Sequence, residues 1–265
     1  MPKLNITSAE YHAHPALGSS GIRLLRQRPS LFKCRVLDGV TEQKRCFDLG
    51  TAFHAAVLEP DAFATNYTLS DLDKRTKEYK AFATDNAGKN ILNANDYAIV
   101  TGMRDGVMRN ATAAKLFAKS PEVEMSYFWN DKITNVECKC RPDALLENKD
   151  RLIAIDLKST RDASARAFQK SVAQYGYHIQ AAWYSHGIEV VGGRAVDLFL
   201  FIAVEPEPPF DCGVYYLSED ALDIGWRDCQ NATKVFAECK KSNLWPGLPP
   251  GLTELPLPEW YNIEE

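Results

Sequence analysis

Residues 140–160, CRPDALLENKDRLIAIDLKST, decide how this chain is read. An acid follows a proline at Asp143, an apolar run covers Leu152 to Ile155, and a second acid and a lysine follow at Asp156 and Lys158. A carboxylate and an ammonium at the end of a buried strand are costly unless they are paired, hydrated or bound to an ion. Side chains alternate across a strand, so Asp156 and Lys158 share one face and Leu157 takes the other. The turn signal ENKD joins this strand to the preceding one. With the turn centred near Lys149 and Asp150, Asp143 falls opposite Asp156, the Cβ atoms about 4.5–5.5 Å apart. Two carboxylates that close repel, and one keeps its proton unless a cation lies between them. Pro142 cannot donate to a ladder and marks an edge or a distortion beside Asp143.

The residues alone admit two chemistries. Hard oxygen ligands at this spacing suit Mg²⁺ or Mn²⁺, ions that keep several waters and bind a substrate phosphate. Lys158 then orients or helps deprotonate an attacking water, which is metal-assisted hydrolysis of a phosphodiester. The alternative is a surface hairpin whose Asp and Lys form an ordinary exposed ion pair of little energetic value.

Working outward, the first 120 or so residues read as mostly helical. GSSGIRLLRQRP offers Ser19 or Ser20 as an N-cap and Pro29 as a stop. FDLGTAFHAAVLEP predicts a helix from Phe47 to Leu58, closed by Pro60. A polar stretch precedes a long helix within residues 93–121, where Tyr97, Val100, Met103 and Val107 recur as a core-facing stripe. After Pro121, VEMSYFW, NVECKCRPDALL and RLIAIDLK read as three strands. A long helix follows within residues 164–190, then the strands VDLFLFIAV and CGVYYL, a helix from Glu219 to Lys240 and a proline-rich tail. This order predicts an α/β domain with a mixed central sheet flanked by helices and a helical N-terminal part. The expected organisation is one domain over 1–265, with a helical part to 120, an α/β core over 121–243 and a tail over 244–265.

Composition narrows the class. The chain has 265 residues, 45% of them hydrophobic and 25% charged, which is ordinary for a globular protein. No apolar run approaches the ~20 residues that span a bilayer, and the N-terminus lacks a signal-peptide core, so a cytoplasmic location is expected. Seven cysteines are scattered without the spacing of a disulfide framework or a usual metal site. Free thiols, in the core or at the surface, are the simpler reading. A net charge of −4 argues against a general nucleic-acid coat but leaves room for a local basic channel.

The pair PD at 142–143 with DLK at 156–158 resembles the PD-(D/E)XK nuclease signature. LGTAFHAAVLEP resembles the histidine-bearing helix of the subgroup that includes the RecB and RecE nucleases, and YHIQAAWY resembles its Gln-x-x-x-Tyr helix. With EYHAHPALGSSGIRLL, RPSLF, KCRPDALL and YGYHIQAAWYS, the likeness to the RecE-type (exonuclease VIII) nuclease domain runs from about Ile6 to Trp260. It implies a restriction-endonuclease-like core and a cytoplasmic, Mg²⁺-dependent double-strand DNA exonuclease of phage or prophage recombination. Such an enzyme degrades 5′-ended strands to leave 3′ overhangs, assembles as a ring-shaped tetramer and works beside a single-strand annealing protein.

Carried over by position, the resemblance makes His54 a metal ligand beside Asp143, Asp156 and the carbonyl of Leu157. Lys158 serves the nucleophilic water. Gln180 and Tyr184, on one helix face, support the site. His178, beside that motif in sequence, is a candidate phosphate contact. Backbone phosphates call for Arg and Lys. GIRLLRQRPSLFKCR supplies Arg23, Arg26 and Arg28, DKRTKEYK supplies Arg75 and Lys77, and Arg141 adjoins the motif proline. The same site residues serve an endonuclease equally well. Decay to an inactive DNA-binding scaffold would have cost at least one of His54, Asp143, Asp156 and Lys158, and all are present.

Overall fold

The computed structural model describes residues 3–40 and 45–257, without the side chains of 45–48. After a short strand β1 (Lys3–Leu4) come α1 (Ser8–Ala13), α2 (Ser19–Gln27) and α3 (Pro29–Phe32), the last running into a π-helical turn at Lys33–Leu37. Thr7 opens α1 with a capping box: its hydroxyl accepts from the Glu10 N–H, and the Glu10 carboxylate accepts from the Thr7 N–H at 2.8 Å. The N-cap of α2 is Gly18, with no side-chain cap. The two serines therefore do not serve as the expected caps.

Helix α4 (Arg45–Leu58) ends where Pro60 opens α5 (Pro60–Asn66), a first-turn position at which the missing N–H costs nothing. The polar stretch that follows is more ordered than its composition suggests. It contains β2 (Tyr67–Leu69), α6 (Lys77–Asp85) and β3 (Asn90–Leu92), with β2 and β3 paired in parallel. The long helix expected next is two, α7 (Ala94–Arg109) and α8 (Ala111–Phe117). They separate at Asn110, whose side chain accepts from the N–H groups of Thr112 and Ala113 and so caps the second helix. Val100, Met103 and Val107 are buried, as their spacing requires.

Two of the three expected strands are each divided. VEMSYFW forms β4 (Glu122–Val123) and β5 (Ser126–Asn130), and NVECKCRPDALL forms β6 (Glu137–Cys140) and β7 (Ala144–Glu147). Each division is a change of sheet. The first occurs at Glu124, which takes a left-handed φ of 54°, and the second at Arg141–Asp143, where Pro142 offers no ladder donor. Strands β1, β5 and β6 make a three-stranded sheet. The chain continues through β8 (Leu152–Ser159), α9 (Ala165–Tyr175), α10 (Tyr177–Gly192), β9 (Leu198–Val204), β10 (Cys212–Tyr216) and α11 (Glu219–Ser242). One helix was expected where α9 and α10 lie. Gly176, at φ 68°, ends the first in the left-handed conformation that glycine adopts cheaply.

The central sheet has the order β10-β9-β8-β7-β4, with β8 and β9 parallel and the remaining pairs antiparallel. It is the mixed sheet expected from the strand order. On one face Phe53, Val57, Met103 and Val107 pack on Leu146, Ile155, Leu157 and Ile202. On the other, Ile22, Ile179, Trp183 and Phe236 pack on Leu145, Ala154 and Phe201. Cys138 and Cys140 point into this second core as free thiols, and among the described residues no cysteine joins a metal-ligating group. Residues 243–257 carry no regular element, although Trp245 stacks on Phe32 at 5.5 Å; residues 258–265 lie outside the description. Among the described residues no helix is long and apolar enough to cross a membrane.

Candidate active site

The β7–β8 hairpin pairs Ala144 with Ile155, so Asp143, one residue before β7, falls opposite Asp156. The register is the one that a turn centred on Lys149 and Asp150 requires. Asp143 Oδ2 accepts from the Leu157 N–H at 2.6 Å, which ties the strand break to the neighbouring strand. Leu157 itself turns its side chain into the core opposite, fully buried. Asp156 and Lys158 share the other face, in ionic contact with each other. The Lys158 ammonium also lies 4.8 Å over the ring of Tyr177.

Helix α10 completes this wall. Gln180 Nε2 donates to Asp156 Oδ1 at 2.6 Å, and Tyr184, one turn on, is buried and lines the cleft. Gly187 lets the helix approach this closely, because a Cβ there would meet the Trp129 ring at 2.5 Å and Cys140 Sγ at 2.9 Å. From the opposite side α4 brings His54, with Nδ1 3.5 Å from Asp143 Oδ2.

The two acids are pushed apart in acidity. Burial drives the Asp156 carboxyl up, and although Lys158 opposes this it rests at about 6. Burial acts on Asp143 in the same sense, but His54, Lys158 and the Leu157 N–H outweigh it and hold Asp143 below its ordinary range. Burial disfavours the charge of His54 and of Lys158 too, yet the carboxylates prevail and both are held above their usual values. The repulsion expected of paired carboxylates is therefore relieved by splitting their affinities for protons and by an ammonium beside one of them.

His54, Asp143, Asp156, Lys158, Gln180, Tyr184 and Arg141 all line one cleft of about 990 Å³. Glu124, which no sequence motif marked, lines it as well. One ligand atom each from His54, Glu124 and Asp143 lie within 4.8 Å of one another. An imidazole with two carboxylates, next to a third carboxylate on Asp156, is a donor set suited to a hard divalent cation. The only trace of Glu124 in the sequence is an acid interrupting the apolar run VEMSYFW.

The expected DNA contacts have protein partners of their own or lie on other surfaces. Arg141 is largely buried, with Nε donating to Glu124 Oε2 at 2.5 Å and Nη1 donating to Ile6 O at 2.9 Å. His178 turns away from the cleft, its ring 3.3 Å from Val172 O and 3.7 Å from Asp228 Oδ2. Arg26 pairs with the same Asp228 at 2.9 Å. Arg23 donates to Tyr175 O at 2.6 Å and, with Arg26 and Arg35, lines a second depression of about 510 Å³ beside α9. Arg28 is half-buried at the start of α3, and Arg75 and Lys77 are exposed ahead of and within α6.

Residues 28–251 match the family described as "PDDEXK-like domain of unknown function (DUF3799)". No curated protein matches the chain in sequence. Among solved structures, a protein from Eubacterium rectale, named provisionally as an exonuclease, superposes with a TM-score of 0.63 at 12% identity, over 96% of this chain and 97% of that one. A second, SSO0001, gives a TM-score of 0.32 at 14% identity over 71% of this chain and 84% of that one, and carries no argument. The chain belongs to this PDDEXK-like family, and its mixed sheet between helices, with the PD and DLK residues meeting at one cleft, is that fold.

Proposed function

We propose that the protein is a metal-dependent deoxyribonuclease of the RecE type, an exonuclease that degrades 5′-ended strands of duplex DNA to leave 3′ overhangs. The observation that supports it most is the meeting of His54, Asp143, Asp156, Lys158 and Gln180 in one cleft from four separate elements. A cation bound there, Mg²⁺ or Mn²⁺, supplies Lewis acidity toward a phosphoryl oxygen and a lowered pKa for water. The residues to hold it are His54, Asp143, Asp156 and the Leu157 carbonyl.

The protein's own groups divide the remaining work. Lys158 keeps its proton beside Asp156 and places a positive charge where a phosphate oxygen gains charge. Gln180 fixes one oxygen of Asp156, so that carboxylate has one orientation when ionised. Tyr184, one turn from Gln180 on the same helix, lines the cleft and supports the site. Arg23, Arg26, Arg28, Arg75 and Lys77 are the candidates for DNA backbone contacts along the surface. His178 belongs with them only if its pairing with Asp228 opens. The remaining features of the reading come from the family resemblance: one nuclease domain, a ring-shaped homotetramer, a single-strand annealing partner and a cytoplasmic role in phage or prophage recombination.

The test follows a 5′-labelled linear duplex and a covalently closed circle with Mg²⁺, beside an Asp156→Ala control. Loss of the linear substrate alone, from its 5′ ends and absent in the control, is the expected result. Nicking of the circle would establish an endonuclease instead. Loss of neither substrate with Mg²⁺ would leave a DNA-binding scaffold as the better account.

A further inference from the structure

Glu124 stands at the point where the chain leaves the central sheet for the smaller one. Its left-handed φ of 54° is uncommon for a residue with a side chain and persists only when the surroundings hold it. Two contacts do so. Its N–H donates to Asp143 O at 3.0 Å, and its Oε2 accepts from Arg141 Nε at 2.5 Å. Arg141 is fixed in turn by Ile6 O and by the Tyr11 ring, 5.7 Å away. Glu124 is thus tied through its backbone to one expected ligand, while its carboxylate is aimed at that ligand and at His54.

The spacing has a physical meaning. Two carboxylates brought this close repel, and the arrangement is favourable where a cation is shared. Oxygen ligands at about 2.1 Å from Mg²⁺ place opposite donors about 4.2 Å apart. The 4.8 Å limit on the His54, Glu124 and Asp143 atoms therefore needs only a small contraction to close on an ion. Asp156, by comparison, has one oxygen bonded to Gln180 and the other in contact with Lys158.

We propose that Glu124 is a further side-chain ligand of the divalent cation, on the His54 and Asp143 side of the cleft, and that Arg141 is the positioning residue that holds it there. This rests on the metal-dependent nuclease reading but reaches beyond the PD and DLK residues. It also gives Arg141 work inside the site instead of on the DNA backbone. The two sheets then cooperate in function: the Pro142 break carries Arg141 and Asp143 to either side of the position that Glu124 reaches from the other break.

The experiment is Mn²⁺ titration of the metal-free protein, read by calorimetry and by the electron paramagnetic resonance of free Mn²⁺, without DNA. Glu124→Gln is expected to weaken Mn²⁺ binding about 10–100-fold, as is Arg141→Gln to a smaller extent. Thermal unfolding in chelator keeps folding apart from binding. If Glu124→Gln does not fold, Glu124→Asp keeps the charge but withdraws it by one methylene, and the same weakening is expected. Wild-type affinity in a folded Glu124 variant, with binding lost in Asp143→Asn, would overturn the proposal and leave the nuclease reading standing. Activity lost from Glu124→Gln at unchanged Mn²⁺ affinity would overturn it too. A wild-type protein that binds no Mn²⁺ would remove both.

Discussion

Asp143 accepts the backbone N–H of Leu157 at 2.6 Å, so the acid at the end of one strand is bonded to the residue between the acid and the lysine of the next. The same contact explains how a broken strand still presents Asp143 in register with Asp156. It also separates two consequences of substitution. Asp143→Asn keeps an acceptor for Leu157 and gives up only the charge pairing with His54, so it is expected to be the more stable of the two variants. Asp143→Ala leaves a buried N–H without an acceptor, at a cost of about 1–3 kcal/mol. Both are expected to lower DNA hydrolysis by at least about a hundredfold, the scale of losing one stabilising group at a reacting centre. Equal melting temperatures for the two variants would contradict the structural part.

Acidity gives the second prediction. At subsaturating Mg²⁺, hydrolysis should rise with pH as the Asp156 carboxyl of the metal-free site, held up to about 6 by burial, loses its proton and binds the cation, and should level above that. Stability of the metal-free protein moves the other way for this group. Its folded pKa lies above the ordinary 3.8, so its contribution is full below about 4 and is lost as pH rises through about 6. His54 acts in the same sense: its pairing with Asp143 stabilises below 6.5 and is lost as pH rises through its raised folded value. Asp143, held low, contributes above 3.8 and loses this as pH falls. A pH–rate profile at subsaturating Mg²⁺, beside urea unfolding in chelator, measures both. A rate that stays flat between pH 5 and 8 would count against Asp156 as an ionised ligand.

Gln180→Ala removes the donor to Asp156 Oδ1 without altering a charge. Turnover is expected to fall about 10–100-fold, as for other groups that orient a ligand, with the fold retained. Gln180→Glu should do more, because a second carboxylate there raises Asp156 further. Its acid limb in the pH–rate profile is expected to move upward. An unchanged limb would show that the two side chains separate in solution.

Lys139 fastens the N-terminal segment that walls the cleft. Its ammonium donates to Tyr11 O at 2.6 Å and His14 O at 2.7 Å and lies 4.6 Å from the centre of the Tyr11 ring. Lys139→Met leaves both carbonyls without that donor, at about 1.5–3 kcal/mol for each hydrogen bond to a charged group. Amide hydrogen exchange over residues 8–14 should quicken at least about tenfold, while the β8 and β9 amides keep their protection. Uniform loss of protection would mean that Lys139 supports the whole core.

Gly187→Ala places a methyl group against the Trp129 ring and Cys140 Sγ. Overpacking of this kind typically costs about 1–3 kcal/mol. Because the same helix carries Gln180 and Tyr184, the turnover of the folded fraction should fall as well. A variant destabilised by that amount but unimpaired in turnover would show that α10 shifts without disturbing its own earlier turns.

The hairpin register, the shared face of Asp156 and Lys158, the shared face of Gln180 and Tyr184, and the mixed sheet were all legible in the sequence. Each follows from a period of 2 or 3.6 and a turn of fixed length, which are local properties of the chain. Strand and helix breaks were less legible. Gly176 and Asn110 each interrupt an apolar pattern that continues on both sides, and the pattern alone cannot say that the chain changes direction between them.

What only the tertiary structure decided is who meets whom across the cleft. Glu124 and Arg141 looked like a strand acid and a DNA-binding cation; they are bonded to each other because two strands change sheets at neighbouring points. His178 adjoins Gln180's motif in sequence yet points to Asp228, since residues two apart on a helix face different ways. His54 was set beside Asp143 by resemblance alone, and the packing of α4 is what brings its imidazole within 3.5 Å of that carboxylate. Periodicity fixes which face a side chain takes, whereas contacts between distant segments depend on how those faces stack. That stacking is set by the core as a whole, through side chains such as Leu157 and Trp183 that take no part in the chemistry.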